Sequence, residues 1–217
     1  MIGIVIAMDS EAKILLELAN IKKETIVNGK KIYEGDFRGK SFVLAVCGVG
    51  KVNAAYTTSL LLHRYSVKKV LNFGVAGGLN DGTTLCSVYE IAQSVQFDFD
   101  LTQLNGTAIG TLDEYKENYL PVNALLLFPK RNLATADRFN DSRDDYLLLT
   151  EELKADIRDM EGCAIVQACL CASMPVYLFK AISDVAGSGS TTDQYLQNRD
   201  TALSNLQAEL PRIFDML

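Results

Sequence analysis

Residues 155–190, ADIRDMEGCAIVQACLCASMPVYLFKAISDVAGSGS, decide how this chain reads. They spell a strand, a helix and a second strand. Residues 155–160 are short and run into a pair of carboxylates, Asp159 and Glu161. From 162 to 173 small and apolar residues recur at helical spacing, with Ile165, Cys169 and Ala172 on one face and Ala164, Ala168 and Cys171 beside it. Pro175 stops the helix, and 176–182 is dense in branched and aromatic residues, as in a buried strand. A helix of about twelve residues advances roughly 18 Å. A strand of seven or eight returns roughly 25 Å. Glu161, at the helix start, and Asp184, at the strand end, therefore come back to one edge of a sheet. Open α/β sheets bind ligands at that edge, and paired carboxylates there can act as acid, base or charge stabiliser. The plainer alternatives are that Glu161 only favours a helix N-terminus and Asp184 only closes a turn.

The composition narrows the field. The chain has 217 residues, 48% of them hydrophobic and 22% charged, an ordinary globular balance with enough length for a substantial core. A net charge of −6 argues against a nucleic-acid-binding surface and is indifferent to a small neutral ligand. Cys47, Cys86, Cys163, Cys169 and Cys171 are odd in number and sit mostly in apolar runs, which fits buried thiols in a reducing cytosol. His63 is the lone histidine and no second ligand pair accompanies Cys169 and Cys171, so neither a zinc site nor a His-dependent catalytic triad is expected. His63 reads instead as a surface or helix-end residue. No run reaches the roughly twenty apolar residues of a membrane span, and the N-terminus lacks a basic leader, so a cytoplasmic protein without membrane partners is expected.

Along the chain, 2–7 reads as a buried strand, followed by a helix opening near Ser10 and Glu11, whose plain roles are N-cap and first-turn acid. Residues 32–37 and 41–47 read as strands joined by a tight turn at Arg38-Gly39-Lys40. The run Gly48-Val49-Gly50-Lys51-Val52-Asn53 opens a helix to about 65. It is not a Walker loop, because Val52 follows the lysine, and not a dinucleotide fingerprint, because Asn53 stands where a glycine is needed. Residues 69–73 form a strand that ends in a glycine-rich turn, Gly74-Val75-Ala76-Gly77-Gly78, where backbone can approach a ligand closely. Residues 87–95 and 131–139 read as strands, 142–153 as an acidic surface helix, and 96–129 gives no clear pattern. The C-terminal run carries Leu196, Leu203, Leu206, Leu210 and Ile213 at helical spacing, with Pro211 expected to bend or end it. No repeat or linker interrupts the chain, so one domain over 1–217 is expected.

Asp159-Met160-Glu161-Gly162 and Ala181-Ile182-Ser183-Asp184 resemble the ribose-binding and purine-protonating motifs of the purine nucleoside phosphorylase/nucleosidase superfamily. Within it, the 5′-methylthioadenosine/S-adenosylhomocysteine nucleosidases are most similar. Thr135-Ala136-Asp137-Arg138-Phe139 and the 48–55 run match two more of the family's segments, with Ala136 replacing a glycine. The resemblance implies an α/β fold, a three-layer sandwich with a central mixed, partly barrel-like sheet flanked by helices. It implies hydrolysis of an N-glycosidic bond in which Asp184 protonates the purine at N7 and Glu11 activates water. Glu161 would bind the ribose hydroxyls, with Met160, Met8, Val75 and Ser183 along the same pocket. Phe139 would stack on the purine and the Asn140 backbone would read its edge. Leu104 would be lent to a partner's pocket in a homodimer. No cofactor or metal is implied. Two other readings follow from the same resemblance. Phosphate could replace water, although residues 8–12 hold no arginine and Val75 stands where phosphorylases carry a serine. The pocket could also serve another purine nucleoside, of the futalosine type, or bind without catalysis.

Overall fold

The computed structural model describes residues 1–79 and 82–217. Its strands, in chain order, are β1 (Ile2–Ile6), β2 (Asn20–Val27), β3 (Lys30–Phe37), β4 (Lys40–Val46), β5 (Lys69–Gly78), β6 (Val88–Gln96), β7 (Leu120–Pro121), β8 (Lys130–Thr135), β9 (Ile157–Asp159) and β10 (Val176–Val185). The helices are α1 (Asp9–Leu16), α2 (Lys51–Arg64), α3 (Thr102–Asn105), α4 (Arg143–Leu147), α5 (Gly162–Cys171) and α6 (Thr191–Met216).

The strands join in the order β10-β6-β8-β9-β5-β1-β4-β3-β2, and β10 also pairs with β5. That last pairing closes β5, β9, β8, β6 and β10 into a ring, while β1, β4, β3 and β2 extend from it as an open arm. The strand that joins the arm to the ring, β1, is parallel to both neighbours, β4 and β5. Its five residues are all buried, as a parallel strand covered on both faces requires. Helices α2 and α5 pack on one face through Ala54, Leu61, Ile165 and Cys169. Helices α1 and α6 pack on the other through Leu15, Leu206, Leu210 and Phe214. The expected three layers and partly barrel-like sheet are both present.

Several expectations need correction. The glycines at 74–78 are not a turn; they continue β5 to Gly78, because pairing with β10 holds the backbone extended where local propensity would break it. Strand β2 was not anticipated. It is an outer strand with alternating exposure, joined to β3 by Asn28-Gly29, both at positive φ. Paired positive φ values are what two-residue hairpin turns demand, and Arg38-Gly39 repeats the device between β3 and β4. The 142–153 segment is not one surface helix: α4 passes into a π-helical turn over Leu148–Glu152, and Leu149 is fully buried. The strand expected at 131–139 stops at Thr135, leaving Phe139 on the loop beyond. Pro211 lies inside α6 without ending it. His63 is an exposed residue in the last turn of α2, its Nδ1 2.8 Å from the Ser59 carbonyl. Among the described residues no helix is long and apolar enough to cross a membrane.

Candidate active site

A cavity of about 380 Å³ opens where β1, β5, β9 and β10 end, with Glu11, Glu161 and Asp184 all on its wall. That volume suits a small organic ligand.

Glu11 comes from the first turn of α1. Its Oε1 accepts the Val75 N–H at 2.9 Å and its Oε2 accepts the Met8 N–H at 3.1 Å. The carboxylate fits only because residue 74 is glycine, since a Cβ there would overlap it. Burial pushes Glu11 above the ordinary carboxylate range, opposed by the Lys180 charge and by the two N–H donors. The first-turn placement was expected, but it does not exhaust the residue, because one oxygen crosses to β5.

Glu161 occupies the N-cap position of α5 without capping it. Its Oε1 instead accepts the Gly50 N–H at 2.9 Å, tying α5 to the start of α2. Burial, reinforced by the neighbouring Asp159 charge, pushes its pKa up to about 8.

Asp184 lies at the end of β10, just past an irregularity in the pairing with β5 that leaves Ser183 unmatched. A bulge of this kind turns the following side chain. The Ser183 hydroxyl donates to Asp184 Oδ2 at 2.8 Å. Burial raises the Asp184 pKa against the lowering pull of that hydroxyl and of Arg158.

Among the remaining expected residues, Met8, Val75, Met160, Phe139 and Ser183 line the cavity. Phe139 is half exposed and meets Tyr195 of α6 edge-on, with ring centroids 5.8 Å apart. Asn140 stands outside the lining, its side chain donating to Asp145 at 3.0 Å and accepting from the Ser142 N–H at 3.1 Å. Leu104, on α3, is 80% exposed and does not line this cavity.

Two cations escaped the sequence reading. Lys180, on β10, is buried and donates to Asp159 Oδ2 at 2.8 Å. Asp159 also accepts the Thr135 hydroxyl at 2.6 Å and the Gly162 N–H at 2.9 Å. It lines the cavity as Glu161 does, but both of its oxygens are already taken by these partners. Arg158 lines the cavity beside Asp184, with its Nη2 4.0 Å from Oδ1. A lysine inside the apolar run Val176–Val185 was the available signal for the first, since a buried lysine needs a partner.

The Glu11 and Asp184 ends of the cavity can be told apart along one strand. Glu11 abuts Gly74 and Asp184 abuts Gly77, three residues further on β5, or about 10 Å by strand rise. A barrel extended by a mixed arm, with carboxylates gathered at the strand ends around such a cavity, is the nucleoside phosphorylase-like fold.

A family model described as the Phosphorylase superfamily matches residues 1–124 and 132–215. A 5′-methylthioadenosine/S-adenosylhomocysteine nucleosidase of Psychromonas ingrahamii is 33% identical, over 90% of this chain and 91% of its own. The crystal structure of such a nucleosidase from Colwellia psychrerythraea, in complex with adenine, superposes with a TM-score of 0.92 at 26% identity, covering 100% of this chain and 95% of that one. A futalosine hydrolase of Helicobacter pylori reaches 0.91 at 25% identity, covering 100% and 97%. The chain belongs to the phosphorylase superfamily and, within it, to the 5′-methylthioadenosine/S-adenosylhomocysteine nucleosidase family.

Proposed function

We propose that this protein hydrolyses the N-glycosidic bond of 5′-methylthioadenosine and S-adenosylhomocysteine, releasing adenine and the thioribose. The observation that carries the reading is the placement of Glu11 and Asp184 at opposite ends of one cavity, each raised by burial, with Glu161 on the wall between the helices. Cleaving the bond builds positive charge on the sugar and negative charge on the leaving purine. Asp184, whose burial favours the protonated acid, gives its proton to N7 as the bond breaks. Glu11, held by the Met8 and Val75 N–H groups, takes a proton from the water that attacks the sugar. The division resembles that of inverting glycosidases, whose two carboxyl groups leave room for water. Glu161 holds the ribose hydroxyls and faces the sugar's developing charge. Phe139 covers the purine face.

Phosphorolysis is disfavoured by what occupies the nucleophile end. The Val75 N–H and the space over Gly74 are both taken by the Glu11 carboxylate, whose negative charge would repel phosphate. A futalosine-type nucleoside is the alternative substrate, supported by the likeness to the H. pylori hydrolase.

The working unit is a cytoplasmic homodimer of one-domain chains. One core joins Ile2 near the N-terminus to Phe214 near the C-terminus, which supports a single domain. The cavity's rim exposes Val49, Phe139 and Leu196, an apolar border suited to cover by a second copy, to which Leu104 would be lent. The five unpaired thiols fit a reducing compartment.

The test is adenine release from 5′-methylthioadenosine in phosphate-free buffer and again with phosphate added. Equal release in both buffers is expected. Release only with phosphate would make the enzyme a phosphorylase, and none in either would overturn the substrate assignment.

A further inference from the structure

The base end of the cavity holds two buried polar atoms without hydrogen-bond partners, and they are of opposite kind. Asp184 Oδ1 is an acceptor and Arg158 Nη2 is a donor. They stand 4.0 Å apart, too far to satisfy one another, and their side chains are 2% and 12% exposed. Gly77 creates the arrangement. It lies between them in the sheet, paired with Asp184 on β10 and with Arg158 on β9. A Cβ on it would sit 2.9 Å from Asp184 Oδ1 and 3.2 Å from Arg158 Nε. The guanidinium is thereby laid across the bare backbone toward the acid.

Buried polar atoms left unpaired are costly, and in a native structure they call for a reason such as a catalytic role or a bound partner. Resting on the reading of this cavity as a purine nucleoside site, the chemistry of the purine edge says what completes them. Every purine offers N7 as an acceptor. At C6 a 6-aminopurine presents a donor and a 6-oxopurine an acceptor. Once Asp184 has committed one oxygen to N7, its other oxygen can receive the amino group of adenine. A 6-oxo group would meet that oxygen as acceptor against acceptor. An arginine has five donors and no acceptor, so Arg158 is matched to the oxygen and not to the amine.

We infer that Arg158 reads the 6-position of the base and admits 6-oxopurine nucleosides to this site alongside the 6-amino ones. The plain alternative is that Arg158 only neutralises Asp184. That role would act on the proton donor itself and so change both substrate classes in parallel.

The experiment compares kcat/KM for 5′-methylthioinosine and 5′-methylthioadenosine, in phosphate-free buffer, for the wild type and for Arg158→Leu. Dissociation constants for hypoxanthine and adenine are measured in parallel. The wild type is expected to cleave the 6-oxo nucleoside within about tenfold of the 6-amino one. In Arg158→Leu the 6-oxo to 6-amino ratio should fall at least tenfold, in turnover and in base binding alike, with Arg158→Lys recovering part of it. An unchanged ratio, or a wild type that neither cleaves 5′-methylthioinosine nor binds hypoxanthine, overturns the inference. Should neither nucleoside be cleaved, the hydrolase reading fails, and the hypoxanthine to adenine affinity ratio still decides the role of Arg158. If Arg158→Leu does not fold, Arg158→Met, which also lacks a donor, supplies the same ratio.

Discussion

Lys180 Nζ donates to Asp159 Oδ2 at 2.8 Å, with the two side chains only 3% and 2% exposed. The pair lies within the electrostatic reach of both Glu11 and Glu161. Burial works to lower the Lys180 pKa, but Asp159, Glu161 and Glu11 more than offset it, so the lysine stays charged. Removing one partner of such a pair leaves the other charge buried and uncompensated, at a cost of about 3–5 kcal/mol. Lys180→Met should therefore lower the unfolding free energy measured by chemical denaturation by about that much. Adding Asp159→Asn should restore a large part of it, because the stranded charge is gone. A double variant no more stable than Lys180→Met alone would show that the pair does not act as a unit.

Gly74→Ala should inactivate the enzyme through Glu11. The new methyl group would overlap the carboxylate and force it away from the Val75 N–H. The expected loss in kcat is about 10²–10⁴-fold, the range for a displaced general base. Because both changes disable one group, Gly74→Ala combined with Glu11→Gln should be no worse than the poorer single variant. Multiplying losses in the double variant would mean that Gly74 serves something other than Glu11.

Glu161 gives a prediction in which stability and activity part. Its pKa in the folded chain is pushed up to about 8, from an ordinary 4.5. Between those two values the folded state holds more protons than the unfolded one. Stability on this account falls as pH rises through the window. Glu161→Gln removes the titration while keeping an oxygen for the Gly50 N–H. The variant should thus be more stable than the wild type near pH 8, by about 1 kcal/mol or more, with the gain vanishing toward pH 4.5. Its turnover above pH 8, where the wild-type Glu161 is ionised, should collapse, since an amide cannot face a cationic sugar as a carboxylate does. Denaturation midpoints at three pH values decide it, and a gain that does not grow with pH would refute the account.

The strand–helix–strand unit ending in Asp184 was legible because its pattern is local: apolar spacing, a proline stop and a carboxylate at each turn. The position of Glu11 was legible beside the apolar β1, whereas Met160 and Glu161 follow the short strand β9 and were singled out mainly through the resemblance of their motif. What stayed hidden depends on partners distant in sequence. Gly74 to Gly78 look like a break until β10 pairs alongside them and keeps the chain extended. Strand β2 is an exposed outer strand whose polar residues give no hydrophobic signal, though Asn28-Gly29 marked its turn. Arg158 and Lys180 read locally as ordinary charges, and only closure of the barrel brings them to Asp184 and Asp159. The acidic 142–153 segment looked like free surface, yet Asp145 accepts from both Arg138 and Asn140.

The acid role of Asp184 is open to a test that separates chemistry from binding. Burial raises its pKa, so in the free enzyme the proton needed by the leaving base is retained above the usual carboxylate range and lost as pH rises through the folded value. Glu11, raised as well, must be ionised to accept a proton from water, so activity should also fall as pH drops through its own value. A bell-shaped kcat/KM profile results, whose acidic limb lies above the ordinary carboxylate range. Asp184→Asn should remove the alkaline limb and lower turnover of 5′-methylthioadenosine by about 10²–10⁴-fold. A ribosyl substrate with a p-nitrophenolate leaving group needs no proton to depart, so on that substrate Asp184→Asn should lose little while Glu11→Gln still loses heavily. Equal losses from Asp184→Asn on both substrates would remove the residue from proton donation and leave it a role in holding the base.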